Sequence, residues 1–367
     1  MKFRCDRDVL SEALQIVQRG ISTRPGIPAL TGVLMQASVD GGLTLTTTDL
    51  EVSAQLTVEV QVQTDGTVLV PARLLTDVVK SLEEAPVEFD AEGGQAQIRS
   101  AAYESTLRLL PADDFPALQA PSGTQIKVDA PTFAEAVAQV GRAASKDEAR
   151  PVLTGVLVEI SREGIILAAT DSYRLAVREV MATADGEAKA IVPERALGEA
   201  GRAAAGEEKG EIEVVLDESQ VSFQIGALRL TSRLIEGEFP NYRQLLPEGY
   251  ENRLTMPRQA LIEAVRRVGL LARDNAPVRM EFNQLGVRLS SQSPDLGQAV
   301  EAVEAQYEGE ELTAAFNPNY LIDGLAAAVG DTIRLEVRDG LKPGVVRGEN
   351  DQFTYLVMPV RLPAPVG

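Results

Sequence analysis

Three copies of one sequence pattern run through the chain and restrict what it can fold into. Leu10, Phe133 and Leu261 each begin a series of apolar residues at positions i, i+3, i+4 and i+7, which predicts three amphipathic helices. Shorter motifs recur with offsets of 122 to 124 residues, close to one third of the 367-residue chain. They are Pro-x-Leu-Thr-Gly-Val-Leu from 28 and 151, Thr-Asp from 48 and 170, Val-Pro from 70 and 192, and Phe-Asn-Pro-Asn from 316. The chain is therefore predicted to contain three copies of one structural unit.

Within each copy, helices are predicted to alternate with strands. Apolar and polar residues alternate strictly from Glu51 to Gln63, which predicts one long strand with a single buried face. A second helix is predicted near Ala72–Leu82, and Thr132-x-x-Glu135 has the pattern of a capping box at the start of a helix in the second copy. The fold class is thus predicted to be α+β, with two helices and an antiparallel sheet in each repeat. Clusters of turn residues give predicted repeats at 1–120, 121–250 and 251–367.

The composition excludes several kinds of protein. The chain has no histidine, which removes Ser-His-Asp and Cys-His catalysis and the commonest zinc ligand. Cys5 is the only cysteine, so no disulfide can form within the chain, as expected in a reducing cytoplasm. The N-terminus is charged, and no apolar run approaches the ~18 residues needed to span a bilayer. We expect a soluble cytoplasmic protein with no membrane partner.

Basic residues recur on the predicted helices although the formal net charge is −19. Arg19 and Arg142 lie nine residues beyond the first stripe residue of their helices, which places them on the opposite face. Further pairs that lie on one helix face or away from the apolar stripe are Arg73 with Lys80, Arg195 with Arg202, and Arg266 with Arg267. Point charges in this arrangement suit loose contacts with phosphate groups that do not read base sequence. Any single one of these residues is better explained as a solvated surface group, but their recurrence at equivalent positions favours a basic surface.

No pattern in the chain indicates an active site. Walker A, GxGxxG and GxSxG motifs are absent, so neither nucleotide binding nor a hydrolase nucleophile is indicated. The carboxylate pairs Asp113-Asp114 and Glu83-Glu84 stand beside proline in turn-like contexts, where solvated acids are common. We therefore predict no catalytic residue, no metal site and no cofactor.

Several longer motifs together resemble one family along the whole chain. It is the DNA polymerase III beta subunit family, the bacterial sliding clamps. The residues that carry the resemblance are 1–3, 24–25 with Pro28, 48–50, 70–73, 110–116, 169–177, 239–243 and 355–362. The resemblance implies a ring of two protomers in which helices surround duplex DNA and strands form the outside.

The same resemblance implies which residues and partners are involved. The expected partners are duplex DNA, the DNA polymerase III catalytic subunit, the clamp loader, and other polymerases and repair proteins. The residues expected to contact DNA are Arg24, Arg73, Lys80, Arg142, Arg195, Arg202, Arg266 and Arg267. Leu270 and Leu271 are expected at the seam between protomers, because Leu270 stands where the sister repeats carry arginine.

A groove that accepts short hydrophobic peptides is the second implied site. Its expected walls are apolar, with Arg174 and Arg361 as donors at the rim. The matching positions are Leu153, Thr170, Ser172, Tyr173, Arg174, Leu175, Pro240, Gln244, Leu245, Leu356, Val357, Met358, Pro359, Val360, Arg361 and Leu362. The chain differs from the family at Ser172-Tyr173, at Gln244, at Pro151-Val152 and in the added tail from 363 to 367.

Two other functions compete with a DNA-loaded clamp. One is a clamp-like scaffold that binds partner peptides but is not loaded on DNA. The other is a carboxylate-dependent hydrolase, which the absence of a recognisable site disfavours.

Overall fold

The predicted amphipathic helices are confirmed by burial in the computed structural model. The structure describes residues 1–21, 26–207, 209–247, 249–272, 276–350 and 352–362. Every residue of the stripes that begin at Leu10, Phe133 and Leu261 is at most 5% exposed. Burying a leucine or phenylalanine in this way stabilises the fold by about 1.5–3 kcal/mol each. The stripes therefore anchor the helices on the sheets.

Helices and antiparallel strands alternate along the chain, which confirms the α+β class. Residues 1–120 form β1 (Lys2–Cys5), α1 (Arg7–Val17), β2 (Gly32–Ser38), β3 (Gly42–Thr48), β4 (Val52–Val58), β5 (Gln61–Thr64), β6 (Gly66–Pro71), α2 (Ala72–Ser81), β7 (Val87–Glu92), β8 (Gln95–Ser100) and β9 (Tyr103–Arg108).

The second stretch of the chain follows a similar order. Residues 121–250 form β10 (Thr124–Asp129), α3 (Ala130–Gly141), α4 (Pro151–Thr154), β11 (Gly155–Ser161), β12 (Gly164–Thr170), β13 (Arg174–Met181), β14 (Thr183–Ala184), β15 (Ala188–Pro193), α5 (Glu194–Ala204), β16 (Glu211–Leu216), β17 (Gln220–Ile225) and β18 (Leu228–Arg233).

The last stretch contains the remaining two helices. Residues from 251 onward form β19 (Asn252–Pro257), α6 (Arg258–Gly269), β20 (Val278–Asn283), β21 (Gly286–Ser293), β22 (Gly297–Glu304), β23 (Gln306–Glu308), β24 (Leu312–Phe316), α7 (Pro318–Ala327), β25 (Thr332–Val337), β26 (Gly344–Arg347) and β27 (Phe353–Val357). No helix among the described residues is long and apolar enough to cross a membrane.

The chain divides into two compact units that do not coincide with the sequence repeats. Unit 1 contains residues 1–131 and 202–234, and unit 2 contains residues 132–201 and 235–367. In unit 1 the strand orders are β5-β1-β7-β8-β9 and β10-β16-β17-β18-β4-β3-β2-β6. In unit 2 they are β15-β11-β12-β13-β27-β26-β25-β19-β23 and β22-β21-β20-β24. The sheets thus continue from one sequence repeat into the next, through β18 on β4 and β27 on β13.

The single long strand predicted from Glu51 to Gln63 is wrong, because the chain forms two strands there. Alternating burial holds from Val52 to Leu56, but Glu59 and Val60 lie between β4 and β5. β4 pairs with β3 and β18, whereas β5 pairs with β1 in a different sheet. A regular polar–apolar alternation predicts strand structure but does not reveal where a strand changes sheets.

The predicted positions of two helix ends also need correction. α1 ends at Val17, so Arg19 lies in a 3₁₀ turn at Gln18–Gly20 rather than on the back of the helix. The Thr47 hydroxyl donates a buried hydrogen bond to the Val17 carbonyl, one of the last carbonyl groups of the helix, which have no partner within it. In the second repeat α3 begins at Ala130, before the predicted capping box.

The first prediction concerns the buried helix stripe. Replacing Leu14, which is 1% exposed, with alanine removes buried methyl groups and leaves a cavity under α1. We expect the free energy of unfolding to fall by about 2–5 kcal/mol in urea titrations. The matched control is Leu74→Ala on α2, where the side chain is 49% exposed, and it should change stability by less than about 0.5 kcal/mol. Equal losses for both variants would contradict the assignment.

Candidate functional site

The Thr-Asp motif of the second repeat forms a tight turn between β12 and β13. The Asp171 Oδ1 atom accepts hydrogen bonds from the backbone N–H groups of Tyr173, at 2.9 Å, and Arg174, at 3.0 Å. The Thr170 hydroxyl donates to the Arg174 carbonyl at 2.6 Å and accepts from the Ser172 N–H at 3.1 Å. Ser172 has a φ of 80°, a left-handed conformation that costs energy in a non-glycine residue. The side chains of Thr170 and Asp171 hold it there.

The same turn occurs in the first repeat. The Asp49 Oδ1 atom accepts from the N–H groups of Glu51, at 3.1 Å, and Val52, at 2.8 Å. Leu50 has a φ of 77° and corresponds to Ser172. The motif that recurs in the sequence is therefore a turn-forming device, and Asp171 was missed as a site residue because its role depends on backbone contacts.

Arg174 lies differently from the rim donor that the sequence predicted. Its side chain is 10% exposed, and its Nε donates to Asp171 Oδ2 at 3.0 Å. A second guanidinium nitrogen donates to Asp323 of α7, and the guanidinium carbon stands 4.5 Å from the centre of the Tyr320 ring. All three partners are thereby drawn to one buried cation. Arg174 secures the β12–β13 turn to α7 instead of facing a ligand.

An apolar cluster lies on the other face of β13. Leu175 pairs directly with Leu356 of β27, and both are at most 3% exposed. The buried members of this cluster are Leu157, Ala168, Leu175, Val177, Ile191, Tyr242, Val345 and Leu356. Half-buried apolar side chains pack against it, namely Val152, Ile166, Ile235, Phe239, Leu246 and Tyr250. Because these side chains remain partly accessible, the cluster offers an apolar surface to a ligand.

The segment that carries Pro240, Gln244 and Leu245 is held by one carboxylate. Glu159 of β11 accepts from the Tyr242 hydroxyl at 3.1 Å and from Arg243 Nη2 at 2.5 Å, and Lys189 lies 2.9 Å away. Burial acts to raise the pKa of Glu159, but the hydrogen bonds from Arg243, Lys189 and Tyr242 outweigh it and hold that pKa below its usual value. Leu245 is left 52% exposed beside the cluster residue Tyr242.

The residues that follow β27 form backbone hydrogen bonds with the β12–β13 turn and with β24. The Met358 N–H donates to the Tyr173 carbonyl at 2.8 Å, and the Val360 N–H donates to the Ala315 carbonyl at 2.7 Å. Met358 is 41% exposed and Leu362 is 40% exposed, so apolar side chains remain accessible on an ordered backbone.

The structure brings most of the predicted groove residues together in unit 2. The exposed ones are Ser172, Tyr173, Pro240, Gln244, Leu245, Met358, Arg361 and Leu362. Pro359 and Val360 are half-buried, the Arg174 side chain is only 10% exposed, and the buried residues are Leu153, Thr170, Leu175, Leu356 and Val357. Tyr173 also stacks on Tyr320, with ring centres 6.3 Å apart. Tyr320 and Asp323 were missed because nothing in the local sequence connects α7 with the β12–β13 turn.

The predicted DNA-contacting residues are exposed where the structure describes them. Arg73, Lys80, Arg142, Arg195, Arg202, Arg266 and Arg267 are all exposed, and Arg24 lies outside the described residues. Arg73 and Lys80 share one face of α2, while Arg142 follows the end of α3. Arg267 differs from the others because its guanidinium is bound to Glu301 at 2.6 Å and lies 3.7 Å from Glu263. This pairing leaves Arg267 less charge to offer a phosphate.

Leu270 and Leu271 differ in exposure. Leu270 directly follows α6 and is 75% exposed, whereas Leu271 is half-buried. Leu271 is therefore less accessible than Leu270, and its N–H donates to the Val268 carbonyl at 3.4 Å. The place of both leucines at a seam between protomers stays a prediction.

Comparison with known proteins places the chain in a family. Family models for the N-terminal, central and C-terminal domains of the DNA polymerase III beta subunit match residues 1–119, 127–241 and 243–361. The chain belongs to the DNA polymerase III beta subunit family. The beta sliding clamp of Streptomyces coelicolor is 38% identical over 99% of this chain and 100% of its own length.

Solved structures of sliding clamps match the fold. The clamp of Bacillus subtilis has a TM-score of 0.94 at 31% identity and covers 99% of this chain and 100% of its own. A clamp of Pseudomonas aeruginosa bound to griselimycin also has a TM-score of 0.94, at 29% identity and the same coverage. The chain is thus a DNA sliding clamp, a non-catalytic processivity factor of replication. Burial and the nearby Asp6 raise the pKa of the Cys5 thiol to about 12, which keeps this thiol protonated and unreactive.

The second prediction tests the Arg174 network. In Arg174→Ala, the Asp171 carboxylate, which is 11% exposed, loses its cation. We expect the free energy of unfolding to fall by about 3–5 kcal/mol, because one charge of a buried pair is left without its partner. Thermal and urea denaturation measure the loss. Arg361→Ala, at an exposed arginine, is the control and should leave stability unchanged; a harmless Arg174→Ala would show that the network does not hold the turn.

Proposed function

We propose that two copies of this chain close into a ring around duplex DNA, with the sequence repeats 1–120, 121–250 and 251–367 as its building blocks. The observation that carries this proposal is the way the sheets pass between repeats. β4 of the first repeat pairs with β18 of the second, and β13 of the second pairs with β27 of the third. In the third repeat β22 corresponds to β4 and β13, and in the first repeat β9 corresponds to β18 and β27. Both β22 and β9 are edge strands, with no pairing partner on one side among the described residues.

The equivalence of the repeats also predicts a register for the proposed pairing of β22 with β9 of the partner. Val52 pairs with Ser232, and Arg174 pairs with Val357. When the β21–β22 hairpin is aligned with the β12–β13 hairpin, Gly297 is equivalent to Arg174. When the β8–β9 hairpin is aligned with the β17–β18 hairpin, Leu107 is equivalent to Ser232. We infer that Gly297 of one protomer faces Leu107 of its partner in an antiparallel ladder. Unpaired strand edges favour this kind of association.

The exposed end of α6 supports the same seam. Arg267 binds Glu301 of β22 and thereby connects α6 with this edge strand. Leu270 follows three residues later and is 75% exposed. A leucine so exposed gains about 1.5–3 kcal/mol when a partner covers it fully. We therefore keep Leu270 as the principal apolar seam residue, with the half-buried Leu271 beside it.

The third prediction tests the register by cross-linking. In the proposed ladder Gln298 lies opposite Thr106 of the partner, where Cβ atoms are about 4.5–5.5 Å apart. The double variant Gln298→Cys/Thr106→Cys should form a covalent dimer under mild oxidation, seen on non-reducing gels. Gln298→Cys/Glu104→Cys is displaced along the partner strand to about 7–8 Å and should cross-link poorly. Preferential cross-linking of the displaced pair would reject the register, and dimers of neither variant would reject the seam.

The exposed cations on the helices supply the contacts proposed for DNA. Arg73, Lys80, Arg142 and Arg266 make no ion pair with another described residue, so their charges remain available. An encircling protein needs no tight contact because topology retains it, and isolated cations allow it to slide. Arg195 and Arg202 of α5 complete the set, and Arg267 contributes less because of Glu301.

The fourth prediction separates a loaded clamp from an unloaded scaffold. After loading by its clamp loader, the protein should remain on nicked circular DNA in gel filtration and leave when that DNA is linearised. Arg73→Ala and Lys80→Ala should each lower the salt slope of direct DNA binding by up to about one unit without changing base preference. Arg162→Ala, at an exposed arginine in the β11–β12 hairpin, is the control. Retention that survives linearisation would reject topological binding, and no retention would favour the scaffold.

We propose that the apolar cluster of unit 2 is the groove that binds partner peptides. The support is an accessible apolar surface around Leu175 and Leu356, walled by the 240–245 segment and the C-terminal residues. The proposed partners are the polymerase III catalytic subunit, the clamp loader, and other polymerases and repair proteins. Because Arg174 is engaged by acidic residues, Arg361 and backbone groups are left to bond a peptide's polar atoms.

The fifth prediction concerns the C-terminal wall. Deleting residues 358–367 keeps β27 intact but removes the exposed Met358 and the backbone bonds to Tyr173 and Ala315. We expect a folded protein, checked by circular dichroism, that no longer binds a polymerase-derived hydrophobic peptide in calorimetry. Deleting residues 363–367 alone is the control and should preserve binding. Unchanged affinity in the longer deletion would contradict the proposed wall.

A further inference from the structure

Unit 1 contains a cleft that the proposed functions do not use. Its volume is about 380 Å³, and it is lined by the β3–β4 turn, residues 116–120 and the outer faces of β17, β18 and β4. The cleft is formed entirely within unit 1. It is therefore a separate site from the apolar cluster of unit 2.

The backbone of this cleft is the counterpart of the unit 2 site. The Asp49 turn matches the Asp171 turn, and Phe115-Pro116 corresponds to Phe239-Pro240 in the sequence repeat. The register of β4 with β18 matches that of β13 with β27. Equivalent positions in the two units can therefore be compared residue by residue.

The side chains at these equivalent positions differ in polarity. Leu175 and Leu356 form a cross-strand pair in unit 2, and the corresponding pair in unit 1 is Ser53 with Thr231. Val177 of the apolar cluster is matched by Gln55, which pairs with Arg229. Hydroxyl and amide groups thus replace the apolar floor. Ser53 donates its hydroxyl to Thr48 at 2.8 Å and Gln55 donates its amide N–H to Thr46 at 3.5 Å, so the oxygen atoms of both side chains can accept hydrogen bonds from a ligand.

The charge of the cleft is opposite in sign to that of the whole chain. Its lining includes two exposed arginines, Arg229 and Arg233, against one carboxylate, Glu51. Arg229 donates its Nε to Gln224 at 3.0 Å, which leaves its terminal nitrogens available. The Arg233 guanidinium makes no hydrogen bond or ion pair with another described residue. On a chain with a net charge of −19, this is a local site for a carboxylate.

We propose that this cleft binds an extended acidic peptide segment of a partner protein. Arg229 and Arg233 bind its carboxylates, and Ser53, Gln55 and Thr231 bond its backbone. Leu50 and Leu118, which are 41% and 43% exposed, accommodate one apolar side chain at the rim. A peptide fits better than single-stranded nucleic acid, because the residues lining the cleft include no aromatic ring on which bases could stack.

The test is fluorescence anisotropy of the full-length protein with a labelled octapeptide. The probe alternates glutamate with serine and has one central leucine. We expect weak, saturable binding that falls at least about tenfold in Arg229→Glu/Arg233→Glu, because two attractive charges become repulsive. Arg162→Glu makes a similar charge change at an exposed arginine in unit 2 and should alter affinity less than about twofold.

Three further results separate the proposal from its alternatives. The double variant should still bind a hydrophobic polymerase-derived peptide at the unit 2 groove, which shows that the protein is folded. No binding of the acidic probe to the parent protein, or equal binding by the double variant, would overturn the proposal. Tighter binding of an oligothymidine of eight nucleotides, with the same dependence on the two arginines, would also overturn it by assigning the cleft to nucleic acid.

Discussion

Antiparallel strand pairing between neighbouring sequence repeats is the constraint on which the rest of this structure depends. β18 extends the sheet of the first repeat and β27 extends that of the second, so no repeat completes its sheet alone. This explains why the compact units do not coincide with the sequence repeats. In the second repeat, β16 to β18 belong to unit 1, whereas most of the helices and strands before β16 belong to unit 2. A chain built in this way ends with unmatched edges, and an unmatched edge favours a partner.

The same pairing brings together, in each unit, a tight turn, a proline-containing segment and the end of an incoming strand. Both proposed ligand sites lie where these three parts meet. In unit 2 the turn is secured by Arg174, which binds Asp171 and Asp323 and lies over Tyr320. The buried cation keeps β13 in place while its opposite face presents Leu175 to the apolar cluster. In unit 1 the backbone arrangement is the same, but Ser53 and Thr231 make the floor of the cleft polar. One backbone arrangement can therefore serve ligands of different chemistry.

Charge is distributed in a way that suits a protein that must touch DNA without holding it tightly. The chain is strongly acidic as a whole, yet Arg73, Lys80, Arg142 and Arg266 extend into solvent without an ion pair among the described residues. Where a cation is instead paired, as in Arg267 with Glu301, it connects structural elements. Salt weakens exposed phosphate contacts, so the proposed topological link would supply a persistence on DNA that these charges alone do not.

The sequence by itself determined the three buried helix stripes, the α+β class and the family, because these follow from periodicity and from contiguous motifs. The groove residues that it indicates stay a prediction. The sequence also revealed that the Thr-Asp motif recurs, but neither the turn that the motif forms nor the partners of Asp171. Only the tertiary structure decided that the strand predicted from Glu51 to Gln63 divides between two sheets. It also decided that the Arg174 guanidinium binds Asp323 of α7 instead of facing the rim of the predicted groove. Residues 174 and 323 are far apart in the chain, and no local periodicity encodes which distant carboxylate will meet a given arginine. That choice is made when strands from different repeats pair and bring their side chains together.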